Sequence, residues 1–115
     1  MLSIDANKQA ELVRKLSILF VDDDAEVRES MTHYLSRRVD KVHAAQNGIA
    51  GLNSFRELHP DLVISDIRMG DMDGLTMCRE IRETKPELPV IIIFEIGLAP
   101  RILSVASRKD SSTFS

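Results

Sequence analysis

Three short apolar stretches punctuate the chain: Ile18-Leu19-Phe20-Val21, Leu62-Val63-Ile64 and Val90-Ile91-Ile92-Ile93. None alternates with polar residues, so each predicts a strand buried on both faces, as in a parallel sheet covered by helices. A weaker fourth candidate covers residues 41–45, where Val42 and Ala44 alternate with Lys41 and His43. Helical periodicities lie between the strands. Val27, Met31, Tyr34, Leu35 and Arg38 share one face, with Asp24 placed before them as an N-cap. Leu52, Phe55 and Leu58 form a second stripe after Asn47-Gly48, and it stops before Pro60, which cannot continue a helix. Leu75, Cys78 and Ile81 form a third, ended by Lys85-Pro86. Ala10, Val13 and Leu16 predict a short leading helix over residues 6–16.

Alternation of this kind implies an α/β fold, a doubly wound parallel sheet with right-handed crossovers. A chain of 115 residues has room for one hydrophobic core. In such open sheets the ligand site lies beyond the carboxyl ends of the strands, where the strand order reverses. Composition narrows the function classes. The longest apolar run, residues 90–94, is far short of the roughly 20 residues of a membrane span. Asp5 and Lys8 interrupt the N-terminal segment, which therefore does not read as a secretory signal. The single cysteine, Cys78, excludes an internal disulfide and a multi-cysteine zinc site, and suits a cytoplasmic location. A net charge of −3 argues against a dedicated nucleic-acid surface. The excess of acid belongs to residues 1–93, whereas residues 94–115 hold two acidic and three basic side chains, so the chain changes character near residue 94.

The strand ends carry the candidate chemistry. The first strand runs into Asp22-Asp23-Asp24 and the third into Asp66, after Ile64-Ser65. An Asp triplet after a strand often does no more than cap the next helix, and a lone Asp66 is an ordinary loop residue. As parallel neighbours, however, the two strands would bring these carboxylates to one edge of the sheet. There they would repel one another unless a divalent cation neutralised them. Mg2+ takes oxygen ligands, one or two carboxylates among them, and leaves positions for water and phosphate oxygens. A carboxylate beside such an ion can also attack phosphorus to give an aspartyl phosphate.

Leu19-Phe20-Val21-Asp22-Asp23-Asp24, Asn47-Gly48, Asp61 through Met69, Asp71-Met72-Asp73-Gly74 and Leu88-Pro89 with the following Val-Ile-Ile-Ile run resemble, in order and spacing, the receiver domain of bacterial two-component response regulators. The resemblance covers residues 17–93. It implies a flavodoxin-like doubly wound sheet of order 2-1-3-4-5, here truncated after the fourth strand, with an N-terminal extension or short helix over 1–16 and an atypical tail over 94–115. It further implies that Asp66 is the phosphoacceptor. Asp23 would be a direct Mg2+ ligand, Asp22 would act partly through water, and Arg68 would lend its backbone carbonyl. The phosphoryl donor would be a sensor histidine kinase or a phosphotransfer protein, and the domain would be a signalling device, not a turnover enzyme. Asp24 lies outside the acidic pair and reads as a helix cap. Gly74 is placed in the turn before the third helix, and Gly70 stands where the family usually has proline.

Two features depart from the family. Phe94 occupies the position of a Ser or Thr that hydrogen-bonds the phosphoryl group, and no lysine follows at the family distance. Lys109 lacks both a preceding apolar strand and a following proline. Cation binding is therefore expected to persist while phosphorylation and the conformational switch are weakened or lost. A non-phosphorylated pseudo-receiver, serving as an interaction or dimerisation module, is the alternative. A haloacid-dehalogenase-like phosphatase, with Asp22 as nucleophile, is disfavoured by Glu26 and the missing lysine motif. The abrupt change after the fourth strand suits a shifted reading frame or a truncated gene, and the coding DNA would show it by a Lys-Pro motif downstream in another frame. Without a fifth parallel strand, the fourth would be an exposed apolar edge open to a homodimer partner. The stretch Leu98, Ile102, Leu103, Val105 and Ala106 is expected to cover the sheet as a short helix. A strand at residues 102–106 would instead be antiparallel or donated to a partner, because the link is too short for a crossover. His33, His43 and His59 lack metal-ligand spacing, Cys78 reads as a core thiol, and Met69 and Met72 flank the Asp66 loop.

Overall fold

The apolar stretches form the strands of one sheet in the computed structural model, which describes residues 6–66, 74–96 and 99–106. The elements are α1 (Ala6–Arg14), β1 (Ser17–Val21), α2 (Ala25–Ser36), β2 (Lys41–Ala45), α3 (Gly48–Leu58), β3 (Leu62–Asp66), α4 (Gly74–Thr84), β4 (Val90–Ile96) and β5 (Ala99–Ala106). The strand order is β2-β1-β3-β4-β5. The first four strands are parallel and β5 runs antiparallel to β4. The sequence of the sheet therefore reverses between β1 and β3, as the doubly wound reading requires.

Successive side chains of each strand point to opposite faces, and both faces are apolar. Leu19, Val21, Val63, Val90 and Ile92 meet Leu52 and Phe55 of α3 and Met77, Cys78 and Ile81 of α4 on one side, all buried. Each such side chain contributes about 1.5–3 kcal/mol by leaving water. On the other side Ile18, Phe20 and Ile64 pack with Leu35 of α2 and Val39, and Met31, Leu62, Ile91 and Ile93 lie half-buried around them. β4 is thus better covered on its first face than on its second. Gly51 lets α3 approach β1 closely: a Cβ there would stand 2.7 Å from the Met77 sulfur and 2.9 Å from a Val21 methyl.

Helix ends follow the sequence signals. Asp24 caps α2 by accepting from the Glu26 and Val27 N–H groups, and Asn47 caps α3 through the Ala50 N–H. His59 closes α3 in the left-handed region at φ 50°, just before Pro60. Three helical expectations need correction. Tyr34 and Val27 belong to the exposed side of α2. The Tyr34 ring lies 3.7 Å beneath the Arg38 guanidinium instead of packing inward. α1 ends at Arg14, has no buried residue and leaves Leu12 and Val13 exposed. Gly74 is the buried first residue of α4, not part of a preceding turn.

The largest correction concerns the tail. The expected covering helix is a strand, β5, paired along β4 from Ile96↔Ala99 to Val90↔Ala106. β4 itself continues through Phe94 to Ile96, and among the described residues β5 is the edge strand and β4 lies inside the sheet. The reason is hydrogen bonding: β4 presents a row of backbone N–H and C=O groups that need partners. A link of two residues can return the chain only antiparallel. Pairing slips once, between Ile92 and Ile93, where β5 carries an extra residue. Arg68, Met69, Gly70, Met72 and Lys109 lie outside the described residues.

Candidate metal centre

The register of the sheet assembles the site. Val21 of β1 is paired with Ser65 of β3, so Asp22 and Asp66 are the next positions on neighbouring strands. Adjacent strands run about 4.8 Å apart. One carboxylate oxygen each from Asp22, Asp23 and Asp66 lies within 4.8 Å of the others. Asp22 is buried, Asp23 exposed and Asp66 half-buried, so the cluster opens from the core toward solvent.

Local hydrogen bonds hold the acidic loop. The Asp22 N–H donates to the Ala45 carbonyl at the end of β2, at 3.0 Å. Asp22 Oδ1 accepts from the Asp24 N–H at 2.8 Å, and the Asp22 carbonyl accepts from Arg28 Nη1 at 2.9 Å. Asp24 is turned away as the cap of α2, as its sequence position predicts. Ser65, fully buried, donates its hydroxyl to the Asp66 carbonyl. Asp61, at the opposite end of β3, ties the start of β1 by accepting from the Ser17 N–H, which makes it a structural residue.

Burial raises the Asp22 carboxyl above its ordinary 3.8. The Asp24 N–H opposes the rise, and the charges of Asp66, Asp23 and Asp24 add to it. A site that disfavours its own negative charge favours a cation. The donors are hard oxygens, and ligand oxygens on one Mg2+ stand about 3–4 Å apart. Small side-chain rotations bring the three carboxylates into that range, so the residues fit a divalent cation of this kind.

Residues 18–99 match the family model described as the response regulator receiver domain. The chain belongs to that family. Among curated relatives, the response regulator MprA of Mycobacterium sp. (strain KMS) is 41% identical over 76 residues, which cover 66% of this chain and 33% of MprA. The regulatory protein AtoC of Escherichia coli (strain K12) is 38% identical over 76 residues, 66% of this chain and 16% of AtoC. The chain therefore spans a third or less of these relatives. Among solved structures, the N-terminal domain of an uncharacterized protein from Wolinella succinogenes aligns with TM-score 0.68 and 34% identity, over 71% of this chain and 66% of that one. A response regulator receiver domain protein from Clostridium thermocellum aligns with TM-score 0.66 and 29% identity, over 69% and 64%.

As a response regulator receiver domain, the chain is a two-component signal-transduction module, and its family comprises signalling domains, not turnover enzymes. The phosphatase reading is thereby set aside. Asp22, Asp23 and Asp66 come together as the sequence predicts, whereas Arg68 lies outside the described residues. Sequence reasoning missed Arg28, whose guanidinium reaches back to the acidic loop. Its position four residues after the capping Asp24, in the first turn of α2, was the available signal. Among the described residues no helix is long and apolar enough to cross a membrane.

Proposed function

We propose that this receiver domain accepts a phosphoryl group on Asp66 from the phosphohistidine of a sensor histidine kinase or phosphotransfer protein. Asp22, Asp23, Asp66 and the Arg68 backbone carbonyl would hold Mg2+. The observation that carries this reading is the approach of three carboxylate oxygens, from β1 and β3, to within 4.8 Å of one another. A bound divalent cation supplies charge neutralisation for the carboxylates and for an incoming phosphoryl group. Asp66 contributes the attacking oxygen: its bond to phosphorus forms as the phosphorus–nitrogen bond of the donor breaks, and the imidazole leaving group takes a proton. Asp22 and Asp23, one position beyond β1 and next to it, orient that geometry from the neighbouring strand. The module works in the cytoplasm, with no direct contact to nucleic acid. Residues 17–93 form its receiver-like unit, preceded by an extension over 1–16 and followed by the tail over 94–115.

Incubation of the protein with acetyl phosphate or a cognate kinase, followed by intact-mass measurement, tests this directly. A slow gain of one phosphoryl group that Asp66→Asn abolishes is the expected result. No adduct, or one that persists in Asp66→Asn, would refute the assignment.

Phe94 and β5 favour a second reading, a pseudo-receiver that binds a cation and a protein partner without being phosphorylated. Phe94 stands where the family places a hydroxyl, and the strand beside β4 is antiparallel, so it cannot present a lysine as a parallel fifth strand would. The same edge supports a homodimer. The sequence places Pro100 and Arg101 at the start of β5, and edge strands commonly carry proline or charge that blocks further pairing, whereas residues 102–106 hold neither.

A further inference from the structure

We infer that Arg28 is a positioning residue for the acidic site, acting through the Asp22 backbone. This inference rests on the metal-site reading above and deepens it. Arg28 is half-buried on the first turn of α2, and its Nη1 donates to the Asp22 carbonyl at 2.9 Å. Its own N–H donates to the Asp24 carbonyl at 2.9 Å. Asp22 is thereby held at its backbone N–H by β2, at its carbonyl by Arg28 and at Oδ1 by the Asp24 N–H. The guanidinium hydrogen bond fixes the peptide plane that joins Asp22 to Asp23. The orientation of that plane sets the directions in which both carboxylates leave the main chain. A charged donor to a carbonyl is among the stronger hydrogen bonds, and a residue that orients metal ligands from behind commonly governs affinity without touching the ion.

The sign of the effect separates positioning from simple electrostatics. A guanidinium beside a cation site repels the cation, so removing it would tighten binding if charge were all that mattered. Removing a brace weakens binding. Arg28→Met keeps most of the aliphatic stem and deletes the donors, Arg28→Lys keeps a charged donor, and Arg14→Ala removes an exposed cation from α1 as a control. Mn2+ binding is measured by electron paramagnetic resonance, and amide exchange and melting temperature are measured in EDTA. Arg28→Met is expected to bind Mn2+ about tenfold more weakly than the wild type, with Arg28→Lys recovering much of the loss and Arg14→Ala unchanged. In EDTA the Asp24 amide of folded Arg28→Met should exchange faster than in the wild type. Equal or tighter Mn2+ binding by Arg28→Met overturns the inference, as does an unfolded Arg28→Met protein, which would make Arg28 a residue of the fold. If the wild type itself binds no Mn2+, the metal-site reading fails, and unchanged Asp24 exchange in Arg28→Met would then separately overturn the role of Arg28.

Discussion

Asp22 enters the folded state with its charge disfavoured by burial and by the carboxylates of Asp66, Asp23 and Asp24. The folded protein therefore holds this proton more tightly than the unfolded chain does. By linkage, the contribution of Asp22 to stability is most favourable below 3.8 and is lost as the pH rises through the raised folded-state value. Asp22→Asn keeps an oxygen for the Asp24 N–H and removes the charge. The metal-free variant is expected to melt above the wild type at neutral pH, with the gap closing in acid, while Mg2+ raises its melting temperature less than that of the wild type. Scanning calorimetry across pH, with and without Mg2+, checks both halves, and a variant that melts lower at neutral pH would contradict the electrostatic account. The three carboxylates were legible in the sequence because each stands at or just beyond the end of an apolar run. Arg28 was marked only by its place four residues after the capping Asp24, because its partner is a backbone carbonyl and a main-chain acceptor adds nothing to the pattern of side chains.

At the scale of elements, the contact between α3 and β1 is set by Gly51. A methyl group there would have to displace Met77 or Val21, both buried to the last atom. Overpacking of this sort costs about 1–3 kcal/mol, against roughly 1 kcal/mol that alanine returns over glycine in a helix. Gly51→Ala should lose about 1 kcal/mol in urea denaturation at unchanged m-value. Because Val21 immediately precedes Asp22, the variant should also weaken Mn2+ binding, and a stabilised Gly51→Ala protein would mean that α3 shifts freely. The strands β1, β3 and β4 were readable from the apolar pattern alone, since a continuous apolar run is best accommodated between covering layers. β5 was not, because Leu98, Ile102, Leu103, Val105 and Ala106 suit a helix face as well as a strand. What decides between them is remote in sequence: the unpaired backbone of β4, which only a neighbouring strand satisfies. Tyr34 shows the same limit on a helix, where spacing placed it on the apolar stripe but the Arg38 guanidinium offers its ring an exposed partner.

For the molecule as a whole, the sheet ends on one side in β2 and on the other in β5. The proposed homodimer joins two β5 edges. Size-exclusion chromatography with light scattering should show a dimer at high micromolar concentration that dissociates on dilution, and a monomer throughout that range would rule out edge pairing. The antiparallel return of β5 also fixes the level at which that strand ends. Ala106 sits beside Val90, at the floor of the sheet, whereas Asp66 sits beside Ile93, roughly 10 Å higher along β4. A parallel final strand would have released the chain on the same level as the acidic residues. In this arrangement β5 terminates on the far rim, so a chemical event at the top must be relayed down the length of a strand before the last residue of the sheet can register it.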